Sequence, residues 1–239
     1  MCINAAKVQK ITKKDLEGTS AIVSLSWGNK KLISNEETRF IIWSIPAIKT
    51  CPFATEECKN ACYARKAERV YPECLPARNK NWEFSKTDMF VDFMVNALHY
   101  MASLKAYKTA KHITVRIHES GDFYNVEYLE KWLDIAERCK DIENMDFAAY
   151  TKSLPYLVQA CKDGYNLKTC NIHFISSIWK DTKQKRIDET KALNLPIYTA
   201  FEKGLFDESY TKCDCKDCGH CRQCFKGEKA KDRIAVTIH

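Results

Sequence analysis

Cys51, Cys58 and Cys62 stand in a CX6CX3C spacing within KTCPFATEECKNACYA, and Cys74 follows after eleven intervening residues. Thiolates this close in sequence can be wrapped around one centre by a single loop, about 2.3 Å from a zinc ion or bonded to the irons of a cluster. Zinc favours tighter C-x(2–4)-C pairs, whereas three cysteines on one loop leave one iron of a [4Fe-4S] cluster open to a small molecule. The cluster is the leading reading of this loop, with zinc as its alternative. A second group is denser: CDCKDCGHCRQC carries Cys213, Cys215, Cys218, Cys221 and Cys224, the last four at C-x2-C intervals. Packing gives no reason for such density. Ferredoxin-type runs use C-x2-C-x2-C with a distant fourth ligand, and zinc ribbons use two separated pairs, so this segment predicts a metal, either iron–sulfur or zinc.

A third constellation is RIHESGDF, residues 116–123. Strand alternation predicts Arg116, His118 and Ser120 on one face, with Glu119, Gly121 and Asp122 at the strand's end and turn. A charge on a buried parallel strand needs a partner, so the choice lies between an Arg–Glu pair that only holds the fold and a functional site. Similar groups end the other strands: Tyr150, Thr151 and Lys152, then Ser176 and Ser177, then Tyr198 and Thr199, and finally His239. Cys139 and Cys161 read as small core residues on apolar helix faces, and His99 as a boundary histidine. Nothing singles out Cys2 or Cys170.

These residues need a scaffold, and the hydrophobic pattern supplies one. SAIVSLSW and KKLIS, separated by Gly28-Asn29, predict an N-terminal hairpin. Six strands follow: RFIIWSI, HITVRIH, MDFAAY, NIHFISSI, LPIYTAF and RIAVTIH. Helical spacing predicts helices over 89–104, with Ser85 and Asp88 as a capping box, and over 126–139, 154–161 and 182–194. Crossovers long enough to be helical require parallel neighbours. The polar residues gather at the C-terminal strand ends, which favours a partial α/β barrel over a doubly wound sheet. The expected layout is a 1–37 β-hairpin extension, a partial (β/α)6 TIM-like barrel from 38–206 plus 232–239, and a cysteine-rich metal segment at 207–231.

Composition removes other classes. With 45% hydrophobic residues the chain can bury a core without disulfides. Glycine stands at about half its usual ~7%, and neither GxxxxGK[ST] nor GxGxxG occurs, which argues against P-loop and Rossmann enzymes. No apolar run approaches the ~18 residues that span a membrane, and the N-terminal lysines precede no apolar core of a signal peptide. A cytoplasmic location is expected, where thiols stay reduced and clustered cysteines bind metals or react. The net charge of +7 permits an anionic partner without requiring one.

In order along the chain, GNKKL, SIPAIKTCP, CKNACYA, RIHESGDF, AAYTKS, CGHCRQCF and a final strand ending in His resemble the phage and bacterial gene product eighty-eight family, which carries no biochemical role. More distantly the layout resembles radical S-adenosylmethionine enzymes. That resemblance implies a [4Fe-4S] cluster on Cys51, Cys58 and Cys62 and contacts from Glu119, Ser120, Gly121 and Asp122 to the methionine amine. It also implies Ser176 and Ser177 at the ribose and, through the auxiliary clusters of the superfamily, a second cluster on the C-terminal cysteines. Among those, the resemblance selects Cys213, Cys218, Cys221 and Cys224 over Cys215. The superfamily's usual CX3CX2C spacing, with an aromatic before the third cysteine, differs from CX6CX3C with Tyr63 after it. The expected activity is reductive cleavage of S-adenosylmethionine to a 5′-deoxyadenosyl radical, with an electron donor and a substrate drawn from peptides or nucleic acids. The alternatives are a zinc-stabilised nucleic-acid-binding protein and a two-cluster electron-transfer protein.

Overall fold

A computed structural model describes residues 23–202, 204–225 and 227–237. Its strands are β1 (Leu25–Ser26), β2 (Thr38–Trp43), β3 (His112–Ile117), β4 (Met145–Thr151), β5 (Ile172–Ser177), β6 (Ile197–Phe201), β7 (Thr211–Lys212) and β8 (Arg233–Thr237). The helices, numbered along the chain, are α1 (Glu56–Asn60), α2 (Tyr63–Val70), α3 (Cys74–Ser85), α4 (Phe90–Ser103), α5 (Lys105–Lys108), α6 (Val126–Arg138), α7 (Leu154–Lys162), α8 (Gln184–Ala192) and α9 (Cys218–Cys221).

The strands form one mixed α/β sheet in the order β1-β2-β3-β4-β5-β6-β8-β7. Every pairing is parallel except β1 with β2. From β1 to β6 the order follows the chain, and only the two-residue β7 falls out of sequence, outside β8, so these central strands lack the switch point of a doubly wound fold. All six predicted strands form within a few residues of their expected limits, because Ile- and Val-rich runs suit strands buried on both faces. Among the described residues no pairing joins the β1 and β7 edges, and a closed barrel does not form.

The two faces are covered differently. Ile41, Trp43, Val115, Ile117 and Phe147 point toward α4, α6 and α7 and belong to the main core. The alternate residues Phe40, Ile42 and Ala148 meet Phe225, which belongs to the cysteine-rich segment.

Several local expectations are corrected. Among the described residues no hairpin joins the SAIVSLSW stretch to KKLIS; Leu25 and Ser26 pair instead with Trp43 and Ile42, and residues 1–22 of the expected extension lie outside the described residues. Asn29 Oδ1 accepts from the N–H groups of Lys31 and Leu32, which turns that stretch away from a strand. Ser85 ends α3 and does not cap α4, whose N-cap is Met89. Cys139 is fully buried, as a core residue should be, but Cys161 is exposed. Cys2 and His239 lie outside the described residues.

Candidate functional site

The first cysteine loop leaves β2 through Ser44–Pro46 and folds over the C-terminal ends of β3, β4 and β5. Ile48 adopts φ 62°, a strained conformation for a β-branched residue, and its carbonyl accepts the Cys51 N–H at 3.0 Å. Thr55 caps α1 and accepts from the Cys58 N–H, while Asp181, from the loop after β5, accepts from Glu57 N–H at 3.0 Å. The loop is thus tied at both ends. Cys51, Cys58 and Cys62 lie within electrostatic range of one another, Cys51 and Cys58 also of Asp122, and burial pushes the Cys51 thiol up to about 12.

Lys152 organises the floor of this loop. Its ammonium donates to Ser177 Oγ at 2.7 Å and reaches the Cys58 thiol, partly offsetting the rise that burial imposes there. Asp122 fixes the Lys152 backbone: it accepts from Lys152 N–H at 2.8 Å, from Thr151 Oγ1 at 2.6 Å and from Phe123 N–H at 2.8 Å. Burial nevertheless raises the Asp122 carboxyl above its ordinary range. Beside this group opens a cleft of about 450 Å³, lined in part by Phe53, Lys152, Ser177, Lys183 and Arg186.

The remaining residues of RIHESGDF take other roles. His118 adopts φ 64°, which breaks the predicted alternation and turns its ring to the helical face. Trp43 Nε1–H donates to the Tyr128 hydroxyl, which lies 2.8 Å from His118 Nε2. Burial, with Arg116 nearby, lowers the His118 pKa to about 3. Gly121, at φ 87°, lets the turn press on the cysteine loop; a Cβ there would stand 2.3 Å from Ile45 Cγ1 and 2.7 Å from Thr50 Oγ1. Glu119 accepts from Asn29 Nδ2 at 2.7 Å, and its carbonyl accepts from the Tyr63 hydroxyl at 2.5 Å. The Arg–Glu pair considered from sequence is replaced by this Asn29 contact. Ser120 Oγ is buried without a hydrogen-bond partner. Ser176 is fully buried against Thr190 of α8 at 2.7 Å, so Ser177 alone of the two faces the cleft.

The C-terminal cysteines lie across the other face of the sheet. Arg222, buried at φ 52°, donates to Asp146 Oδ2 at 2.9 Å, Thr38 Oγ1 at 3.1 Å and Thr114 Oγ1 at 3.2 Å. These three acceptors come from adjacent strands. Thr38 in turn donates to the Gly219 carbonyl at 2.9 Å. Cys218 lies within electrostatic range of Cys213, Cys215, Cys221 and Cys224, and burial pushes it up to about 12. Cys215 donates its S–H to the Asp217 carbonyl at 2.9 Å. Cys224 hydrogen-bonds the Tyr150 hydroxyl and lies near Arg116.

Arg116 connects the two regions. Its guanidinium stacks 3.7 Å over the Tyr150 ring, and Tyr198 meets Tyr150 edge-on at 4.9 Å. Tyr198 senses Cys213 and Cys224 from one region and Tyr63, next to Cys62, from the other. Arg116 Nη1 is buried without a hydrogen-bond partner. Cys74 lies near Arg78, Glu68 and Glu119.

The structure therefore gathers Cys51, Cys58, Cys62, Asp122 and Ser177 at one end of the sheet and the five late cysteines on its face. Among the described residues, no three Cys, His, Asp or Glu side chains are drawn tightly enough to hold a metal ion as they stand. Sequence reading gave Lys152 no specific role and missed Arg222 and Asp146 altogether. Lys152 had a signal, its place directly after a strand; Asp146 had none, because its partner lies 76 residues away.

The chain is 25% identical over 198 residues to the Gene 88 protein of Mycobacterium phage D29, covering 76% of this chain and 80% of that protein. It is 29% identical over 163 residues to the Gene 88 protein of Mycobacterium phage L5, covering 65% and 64% respectively. No solved structure matches. The family description "Gene product 88" matches residues 21–227, a span that runs from before β1 to beyond Cys224 and takes in both cysteine groups with the strand ends between them; the chain belongs to that family.

Proposed function

We propose that the protein is an iron–sulfur enzyme of the radical S-adenosylmethionine type, with Cys51, Cys58 and Cys62 holding a [4Fe-4S] cluster beside a cleft for S-adenosylmethionine. The observation that carries this reading is the gathering of three thiols, Lys152 and Ser177 over the C-terminal ends of parallel strands that run in unbroken order. That order supports taking β2 to β6 and β8 as the staves of a partial (β/α)6 barrel. The donor set fits the group. Buried thiols resist ionisation, and cationic irons supply the positive charge that turns them into thiolate ligands. When bound, such a cluster would pass an electron to the sulfonium and release a 5′-deoxyadenosyl radical that takes hydrogen from a substrate.

The protein's own residues would bind and orient. Lys152, held by Asp122, presents a positive charge to a carboxylate entering the cleft. Ser177 offers a hydroxyl on the same wall. Glu119 would meet an ammonium by exchanging its Asn29 partner. The C-terminal segment holds a second metal on this reading. Iron–sulfur there would give an electron a route past Tyr150 and Arg116, while the compact CGHC turn capped by Asp217 favours zinc as the second reading.

Anaerobic reconstitution with iron and sulfide tests the proposal. A brown protein is expected, with a reduced-cluster EPR signal that changes when S-adenosylmethionine is added. Uptake of zinc without iron and sulfide, or a signal indifferent to S-adenosylmethionine, would refute it.

A further inference from the structure

The helix that begins beside Cys62 presents a surface that the proposed chemistry leaves unused. At 100° per residue, Arg65, Arg69, Lys66, Val70 and Tyr63 occupy one arc of about 160° on α2. All five are exposed. The helix's single carboxylate, Glu68, turns the opposite way: it pairs with Arg78 at 2.9 Å and accepts the Ala47 N–H at 2.8 Å. Three cations are thereby left on the outer arc with no acid of the same helix among them. Flanking them, Tyr63 is 62% exposed, Val70 58% and Tyr71 63%. Glu73, past the end of the helix, is the nearest exposed acid in sequence.

We infer that this face of α2, with Tyr71, is a docking surface for single-stranded nucleic acid. Cations spaced along one helix face match phosphates, and exposed tyrosine rings stack on unpaired bases. The two together fit a single strand better than an acidic protein, for which exposed aromatic rings amid cations have no electrostatic use. The chain's excess of 38 basic over 31 acidic residues acts in the same direction. A strand lying here would pass Tyr63, whose hydroxyl touches the Glu119 carbonyl at the rim of the cysteine loop. This surface does not depend on any metal, and binding can be read without turnover.

The test is fluorescence anisotropy of the full chain with a labelled 20-nucleotide single-stranded RNA, and its DNA counterpart, at 50 and 200 mM salt. The wild-type protein is expected to bind one or both, with affinity falling steeply as salt rises. The triple variant Arg65→Ala, Lys66→Ala, Arg69→Ala should weaken binding at least tenfold and reduce the log–log salt slope by about two, three phosphate contacts at about 0.7 each. Tyr71→Ala, which leaves all charges in place, should weaken binding about fivefold or more with the salt slope unchanged. Absence of binding at low salt would overturn the inference, as would full affinity in the triple variant. Preferential capture of a polyglutamate peptide over either oligonucleotide would also overturn it, pointing to an acidic protein partner.

Discussion

The two cysteine regions are seated on the same sheet by different means. The first loop rests on strand ends through backbone turns and a glycine contact, and its Pro52–Glu56 stretch, with Lys152 and Ser177, lines a cleft. The C-terminal segment lies on the sheet face, held by the buried Arg222–Asp146 pair and by Phe225 packed on Phe40 at 5.7 Å. Their surroundings distinguish them: the first has a cleft beside it, whereas the second is pinned against side chains that it needs for its own burial. On the proposed reading, chemistry belongs to the first region and structural or relay duty to the second.

The largest effect should come from breaking the anchor of the second region. Arg222→Met leaves Asp146 buried without its cation, at a cost of about 3–5 kcal/mol. Limited proteolysis should then cut within 207–231 sooner than elsewhere. Asp146→Asn together with Arg222→Met should recover part of the stability, since the uncompensated charge is gone; failure to recover would show that the pair does more than neutralise itself.

Gly121→Ala strikes the first region instead. Its Cβ would collide with Ile45 and Thr50 at a left-handed φ, costing on the order of 3 kcal/mol. Chemical denaturation should register the loss, and the cleft side should loosen while the C-terminal segment keeps its resistance to proteolysis. Equal loosening of both would mean that the two regions are one cooperative unit.

A smaller, graded effect follows from His118. Its folded pKa of about 3 lies below the ordinary 6.5, so the unfolded chain binds more protons between those values. Stability is fully present above about pH 6.5 and falls as pH drops toward 3, by about 1.4 kcal/mol per pH unit. His118→Asn, whose side chain tolerates a left-handed backbone, should flatten that slope in denaturation curves measured between pH 4 and 6.

The parallel strands were legible because their Ile- and Val-rich runs have few other folded uses, and the cysteine groupings because short spacing forces proximity. The edge was not legible. SAIVSLSW and KKLIS have equal local β character, and the decision was made by Asn29 closing its own turn and by a register with β2 that no local pattern encodes. His118 defeated the alternation rule because its backbone turns left-handed just where the strand ends. Ser176 and Ser177 are adjacent polar residues whose opposite orientations follow from strand pleating, and only the position of Thr190 reveals which one is taken. The anchor of the second region joins residues from β2, β3, β4 and the late segment, so the sequence displays its members but not their meeting.

Iron and sulfide counting on two serine variants tests the central claim most directly. One replaces Cys51, Cys58 and Cys62; the other replaces Cys218, Cys221 and Cys224. After anaerobic reconstitution the first variant should lose about four irons and all response of the EPR signal to S-adenosylmethionine. The second should retain that response. Loss of the response in the second variant but not in the first, or an unchanged iron count in the first, would contradict the account.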